Sequence, residues 1–250
     1  MSMIESISIP TLLTMASTVF FFVLERVLPG RPLPHSNNWY FRALLINFVQ
    51  LGITLSLAKL WADIFGTWSL FRLSAWDMPI VEGITGWFVG TFVFYWWHRL
   101  RHKNGLWKIF HQIHHSPARI EVLTSFYKHP VEIAFNSTLT AVILFPILGC
   151  SLLATFWYNF FAATGEYIYH ANYKSPKWLR YFIQTPELHS VHHQLDVHQY
   201  NFSDIPIWDR LFGTYKDTVT FTPQCGFPND NERFLKDMLV FKDVYERGRS

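Results

Sequence analysis

Charge is scarce in this chain. Asp, Glu, Lys and Arg make up 16% of its 250 residues, against roughly 25% in a typical soluble domain. Disorder needs the opposite balance, few apolar residues and a high net charge, whereas here half the residues are hydrophobic and the net charge is +3. So small an excess, with no basic helix and no aromatic–basic repeat, excludes nucleic acid as an expected partner. Cysteine is scarcer still. Cys150 and Cys225 are the only two, and neither sits in a CxxC pair, so no disulfide framework or thiolate metal site is indicated and two free thiols in a reducing compartment are expected. No GxGxxG fingerprint, CxxCH haem site or iron–sulfur cysteine pattern occurs, so any electrons must come from a separate donor. No HExxH occurs either, which argues against a zincin-type protease.

What the chain does have is aromatic residues, 18% of the total, and long stretches without charge. Ser6 to Leu24 is uncharged over 19 residues, about 28 Å as a helix and enough to span a bilayer core. Glu5 before this run and Glu25-Arg26 after it are wrong for a secretory signal and its cleavage site. A second run covers Ala43 to Ala58. A third covers roughly Met78 to Trp97 and contains Gly86-Trp-Phe-Val-Gly90, a small-xxx-small pattern that lets helices approach closely. Ile133 to Gly165 then runs 33 residues without a charge, about 50 Å as one helix and too long for a ~30 Å core. With Pro146, Gly149 and Ser151 near its middle it reads as a helical hairpin. The expected fold is all-α: a polytopic membrane helical bundle of about three spans plus the hairpin, with a His-rich helical cap.

Lys and Arg counts set the expected orientation. Under this topology 19 of the 21 fall on one side, which is expected to be cytoplasmic, and every histidine cluster lies there. The chain reads as one integral-membrane domain. Residues 1–97 form the N-terminal spans, 98–132 a cytoplasmic His-box region, 133–170 the hairpin, and 171–250 a cytoplasmic cap.

Eight of the 12 histidines fall in three tight groups. His98 and His102 are spaced i, i+4. His111, His114 and His115 are spaced i, i+3, i+4, and His189, His192 and His193 repeat that pattern. On a helix each group presents two or three imidazoles in one direction, as a metal site requires. Eight imidazoles exceed what one ion takes, so two ions with four or five ligands each would use the set. Nitrogen-rich ligation with open positions suits iron that must bind O2.

The stretches YWWHRLRH (95–102), LWKIFHQIHHS (106–116), HPVE (129–132), EYIYHANYKSP (166–176), TPELHSVHH (185–193) and WDRLFGTY (208–215) resemble the fatty acid hydroxylase superfamily. This is the membrane di-iron group that contains sterol desaturases, sterol methyl oxidases and lipid hydroxylases. The resemblance covers roughly Gly83 to Tyr215 and implies that His98, His102, His111, His114, His115, His189, His192 and His193 are metal ligands, with His170 as an additional one. Where some members carry another His and many a Gln, this chain has Glu166, which leaves a ligand, an acceptor orienting His170, or a surface charge open. His129 is either part of the site or a solvated loop residue. Asn172 either holds a metal-bound water or a bond behind a ligand, or serves a turn. Tyr200-Asn201-Phe202-Ser203 has Ser where the family often shows Gly, which puts the local turn in question. Trp208 to Tyr215 reads as an amphipathic cap under the metal site, and His35 and His198 as solvated or structural.

The resemblance implies O2-dependent hydroxylation or desaturation of a lipid C–H bond by two Fe ions, with zinc able to take their place in purified protein. It implies a lipid substrate from the bilayer and an electron donor such as ferredoxin, rubredoxin or cytochrome b5 with its reductase. The basic residues Arg99, Arg101, Lys103 and Lys108 could attract an acidic carrier. The aromatic residues Tyr95, Trp96, Trp97, Phe156, Trp157 and Tyr158 could line the lipid's way in. The host membrane would be a bacterial inner membrane or the endoplasmic reticulum. A zinc-dependent membrane hydrolase and an inactive metal-binding structural member are the alternatives. Metal transport is disfavoured because the spans themselves carry few ionisable residues.

Overall fold

A computed structural model describes residues 3–65, 68–103 and 105–248. The uncharged N-terminal runs form the long helices α1 (Met3–Val27) and α2 (Trp39–Phe65). Both carry large apolar side chains on their outer faces, among them Leu12, Phe20, Phe48 and Leu55. In water each such exposed face would forfeit about 25 cal/mol per Å², whereas against lipid it forfeits nothing. After α3 (Pro79–Arg101) a short π turn, Trp107–His111, leads into α4 (Gln112–His115). α5 (Pro130–Val142) continues through a second π turn, Ile143–Ile147, and α6 (Leu152–His170) returns. The hairpin thus turns where Pro146, Gly149 and Ser151 predict it. Among the described residues three helices are long and apolar enough to cross a membrane: Ile9–Val27, Trp39–Phe65 and Pro130–Ile147. α3 has the length, 23 residues, but Glu82 and its three tryptophans hold its hydropathy down. The remainder is short helices, α7 (Pro186–His192), α8 (Pro206–Leu211) and α9 (Leu235–Leu239), joined by loops.

α6 lies between α1 and α3, and α5 packs on α2. The α3–α6 contact depends on small residues. A Cβ at Gly83 would lie 2.6 Å from Trp157 Cβ, and one at Gly86 would lie 2.6 Å from Leu144 Cδ2. At Gly83 the α6 backbone also stands close, Ala154 O at 2.9 Å, so only glycine fits there, whereas at Gly86 the end of the Leu144 side chain from the other arm of the hairpin would have to move; Gly90 sits against Tyr158. At the hairpin tip the carbonyls of Pro146 and Ile147 accept from Leu70 N and Phe71 N at 2.8 and 2.9 Å. Gly149 takes φ +64° there, and an added Cβ would strike the Phe71 carbonyl. The buried Glu82 accepts from Ser151 N at 2.8 Å, at the first turn of α6.

The polar end is tied together by charge. Glu121 receives Trp39 Nε1, Arg26 and Arg119. Arg42 pairs with Glu232 at 2.8 Å. Around these bonds Trp39, Ile113, Tyr127, Phe227 and Met238 form an apolar cluster that joins α2, the second His box and the C-terminal segment. The cap is therefore fixed to the helices, and the metal-capable histidines sit on a rigid base.

Candidate metal centre

Each box arrives at the same place from a different element. His98 sits in the last turn of α3, and His102 is one turn further on. His111 ends the π turn, and His114 and His115 close α4. His170 is the last residue of α6. His189 and His192 lie on α7, and His193 directly follows it.

These nine histidines form two groups, His98, His102, His111, His115 and His192 in one and His114, His170, His189 and His193 in the other. Within each, one ring nitrogen per residue lies within 4.8 Å of the others. The division corrects the expectation that a box points one way. In both HxxHH boxes the i, i+4 pair joins one group and the i+3 residue joins the other: His111 and His115 part from His114, and His189 and His193 part from His192. Successive helical residues differ by about 100° around the axis, so two adjacent histidines straddle the boundary between two sites. The groups touch where the rings of His115 and His193 stack at 4.2 Å.

The contacts inside each group fit an ion. Nε2 of His98 and His111 are 2.8 Å apart, and Nε2 of His170 stands 3.3 Å from that of His114 and 3.1 Å from that of His189. His189 and His193 face each other at 3.1 Å. Two imidazoles bound to one ion at about 2.1 Å stand about 3.0–3.4 Å apart. Nε2 of His192 and both ring nitrogens of His102 and His115 are buried with no hydrogen-bond partner. Buried polar atoms left so are rare and costly, and a metal ion would satisfy one nitrogen of each of these rings.

On the far side of four rings, acceptors hold Nδ1–H and leave the Nε2 lone pair directed inward. His98 Nδ1 donates to Phe202 O at 2.6 Å, and His192 Nδ1 donates to Tyr200 O at 2.8 Å. His170 Nδ1 donates to Glu166 O at 2.9 Å. His111 Nδ1 lies 3.2 Å from Glu132 Oε1, and Glu132 also pairs with Arg101. Both members of that pair are buried. Arg101 is therefore part of the site's support and is not available to an acidic carrier, while Lys103 and Lys108 remain exposed.

Glu166 lies behind His170. Its carboxylate binds Lys128 Nζ at 2.8 Å and approaches His170 Nδ1 at 3.5 Å. His129 and Asn172 lie outside both groups. His129 caps α5, accepting from Val131 N at 3.1 Å. Asn172 exchanges bonds with Arg31 and donates its N–H to Glu25. His35 is exposed, and His198 meets the His115 ring edge-on, with centroids 5.1 Å apart.

The amphipathic cap over 208–215 does more than pack, because Asp209 organises the loop behind His98 and His192. Its fully buried carboxylate accepts from Phe202 N at 2.8 Å, Ser203 N at 2.9 Å and Thr214 Oγ1 at 2.7 Å. Asn201, at φ +53°, donates to Leu188 O and Lys216 O. The positive φ falls on Asn201, so Ser203 is tolerated where glycine was expected. Burial pushes Asp209 up to about 6 even against these donors. Asp209→Ala should release the loop and weaken metal binding about 10–100-fold, the usual cost of losing support behind a ligand. Chelator competition measures this, and an unchanged affinity would refute the role.

Burial lowers the histidines of the cap, reinforced by neighbouring imidazoles and, for His111, first by Arg101. His192 is pushed down to about 3. They are thus neutral at pH 7, as a metal requires. A base lowered in the folded state leaves the unfolded chain binding more protons below pH 6.5. The metal-free protein should keep its stability above pH 6.5 and lose it steadily as pH falls toward 3. A thermal midpoint flat across that window would contradict this.

A fatty acid hydroxylase family model matches residues 83–214, more than half the chain and all nine clustered histidines. The chain belongs to the fatty acid hydroxylase family. It is 33% identical to Methylsterol monooxygenase 2-2 of Arabidopsis thaliana, over 60% of this chain and 58% of the relative. It is 32% identical to Very-long-chain aldehyde decarbonylase GL1-8 of Oryza sativa subsp. indica, over 61% and 58%. Against Ornithine lipid hydroxylase OlsE of Rhizobium tropici the values are 30%, 59% and 45%. The match thus spans about half the length of these fatty acid hydroxylase relatives. No solved structure matches the chain.

Proposed function

We propose that this chain is a membrane oxygenase that holds two irons and uses O2 to hydroxylate or desaturate a C–H bond of a lipid. The observation that carries the reading is the pair of adjacent histidine groups, of five and four members. They are set at the polar end of apolar helices, with lone pairs turned inward by carbonyl and carboxylate acceptors. His98, His102, His111, His115 and His192 would hold one ion, and His114, His170, His189 and His193 the other. When bound, the irons would supply the activation of O2. In hydroxylation one oxygen atom enters the C–H bond, and the other leaves as water with two electrons and two protons.

The chain's own residues do the rest. The Nδ1 contacts to Phe202 O, Tyr200 O, Glu166 O and Glu132 fix ring orientation, so little reorganisation accompanies reaction. The rings of Trp107 and Phe202, 5.2 Å from His115 and 5.3 Å from His102 respectively, shield the five-histidine group from water. Electrons would come from a separate carrier such as a ferredoxin, rubredoxin or cytochrome b5, with exposed Lys103 and Lys108 favouring an acidic one. The chain reads as a single integral-membrane domain, and the basic excess on the histidine side favours that side as the cytoplasmic one, in a bacterial inner membrane or the endoplasmic reticulum.

The test is metal content of the detergent-purified protein, followed by O2 uptake with lipid after anaerobic iron loading and addition of a reductase. About two irons per chain and lipid-dependent uptake are expected. Zinc that iron cannot displace would favour a hydrolase or a structural member.

A further inference from the structure

The polar segment that follows α6 has one apolar edge. On α8, Ile207 and Leu211 are spaced i, i+4 and point the same way. Beside them stand Trp178, Tyr181 and Phe182, and all five side chains are more than half exposed. Backbone contacts tie the two segments together. Gln184 N donates to Asp204 O at 2.9 Å, and Arg210 Nη1 donates to Tyr181 O at 3.4 Å.

The level of α8 along α3 decides what covers this edge. Trp208 packs on Phe88 and Phe92, with centroids 5.7 and 5.0 Å apart, and its Nε1 donates to Thr91 Oγ1 at 2.9 Å. Phe212 packs on Trp96 at 4.8 Å. Phe88 precedes His98 by ten residues, about 15 Å along the helix. α8 therefore begins beside the middle of α3, on the hairpin-tip side of the histidines, and not beyond the polar end. There α3 presents its own apolar stripe, since Ile80, Ile84, Phe88, Phe92, Trp96 and Leu100 recur every four residues and are all exposed. A stripe of that length on a membrane helix faces lipid, and Ile207 and Leu211 continue its surface.

The charge around this edge is basic. Arg180 and Arg210 lie over the Tyr181 ring, 4.5 and 5.4 Å from its centroid, and Lys177 is exposed next to Trp178. Asp217 pairs with Arg180 at 2.9 Å. Asp204 accepts from Tyr169 OH, and the buried Asp209 accepts from Phe202 N and Ser203 N. Arg210 makes no ion pair among the described residues and meets instead two carbonyls and the Tyr215 ring. A guanidinium whose stem runs along aromatic rings at a bilayer edge extends to the headgroups, and Trp and Tyr settle at the same level.

We propose that α8 and the 178–182 loop are seated in the leaflet on the histidine side, with Arg210 and Lys177 held to anionic lipid headgroups. Part of the segment expected as a cytoplasmic cap is thus an interfacial anchor. The seat is independent of the reaction at the metal centre, but it bears on that centre's support. Asp209 stands on α8, so whatever seats this helix also seats the loop behind His98 and His192.

The test puts one environment-sensitive fluorophore on the full chain in lipid nanodiscs. It is attached at Leu211→Cys, at Phe48→Cys on the outer face of α2, or at Lys236→Cys on α9, with the buried Cys150 and Cys225 left in place. The lipids are phosphatidylcholine and phosphatidylglycerol in equal amounts, one or the other brominated on its acyl chains. Bromolipid should quench the label at Leu211 about as strongly as the label at Phe48, while the label at Lys236 responds to aqueous iodide instead. Brominated phosphatidylglycerol should quench at Leu211 about fivefold more effectively than brominated phosphatidylcholine, the factor for one cation near an anionic surface. High salt should shrink that preference, and Lys177→Gln with Arg210→Gln should remove it while the quenching itself persists. A Leu211 label reached by iodide and not by bromolipid overturns the seat. So does disulfide cross-linking of two Leu211→Cys chains in liposomes, which would make the edge a contact between copies. Equal quenching by the two lipids, or a preference that survives the double substitution, overturns the headgroup contact.

Discussion

Replacing His189 by alanine should leave the protein inserted and folded, yet reduce its metal from about two ions per chain to about one, with turnover below detection. His189 touches two members of the four-histidine group, His170 and His193, each at 3.1 Å. Its loss leaves three imidazoles that no longer enclose the ion. His111→Ala or His192→Ala should act likewise on the five-histidine group. His129→Ala is the control. It removes a helix cap worth about 1 kcal/mol and stands outside both groups, so metal content should hold. Elemental analysis decides between these outcomes. Two tightly held ions surviving His189→Ala would sink the proposed ligand set.

The largest loss of stability is expected at Glu132. Its carboxylate is fully buried, pairs with the equally enclosed Arg101, and faces His111 Nδ1 at 3.2 Å. Glu132→Ala would strand the Arg101 cation, a cost of about 3–5 kcal/mol when one partner of a buried pair is removed. That is a large part of the 5–15 kcal/mol typical of a folded chain. Replacing both, Arg101→Met with Glu132→Leu, removes the stranded charge and should recover most of the stability. His111 would still lack its acceptor, so metal affinity should remain about 10–100-fold down. Denaturant titration in detergent and chelator competition read the two effects separately. A double variant as unstable as the single one, or one with normal affinity, would refute this division of labour.

Both variants probe features of unequal legibility. The helices were readable because a membrane imposes a simple physical demand, that backbone polar groups be satisfied within the segment and that the faces be apolar. Uncharged runs therefore announced α1, α2 and the hairpin, and Pro146 and Gly149 announced its turn. The boxes were readable because clustered imidazoles at helical spacing have few other uses.

The division of those boxes between two groups was not readable, because spacing along one helix gives an angle and not the position of a neighbour. His114 and His192 each leave their own box partners for the other group, and only the packing of α4 beside α7 and the end of α6 determines that. Glu132 and Asp209 hold the ligands' far sides through contacts 21 residues away from His111 and seven from Phe202. A single carboxylate in a polar stretch carries no mark of that in sequence. Sequence by itself determined that the chain is helical, apolar and armed with histidines, since composition and periodicity are local properties. Tertiary structure alone decided which imidazoles share a site and what orients them, since these depend on distances between segments remote along the chain.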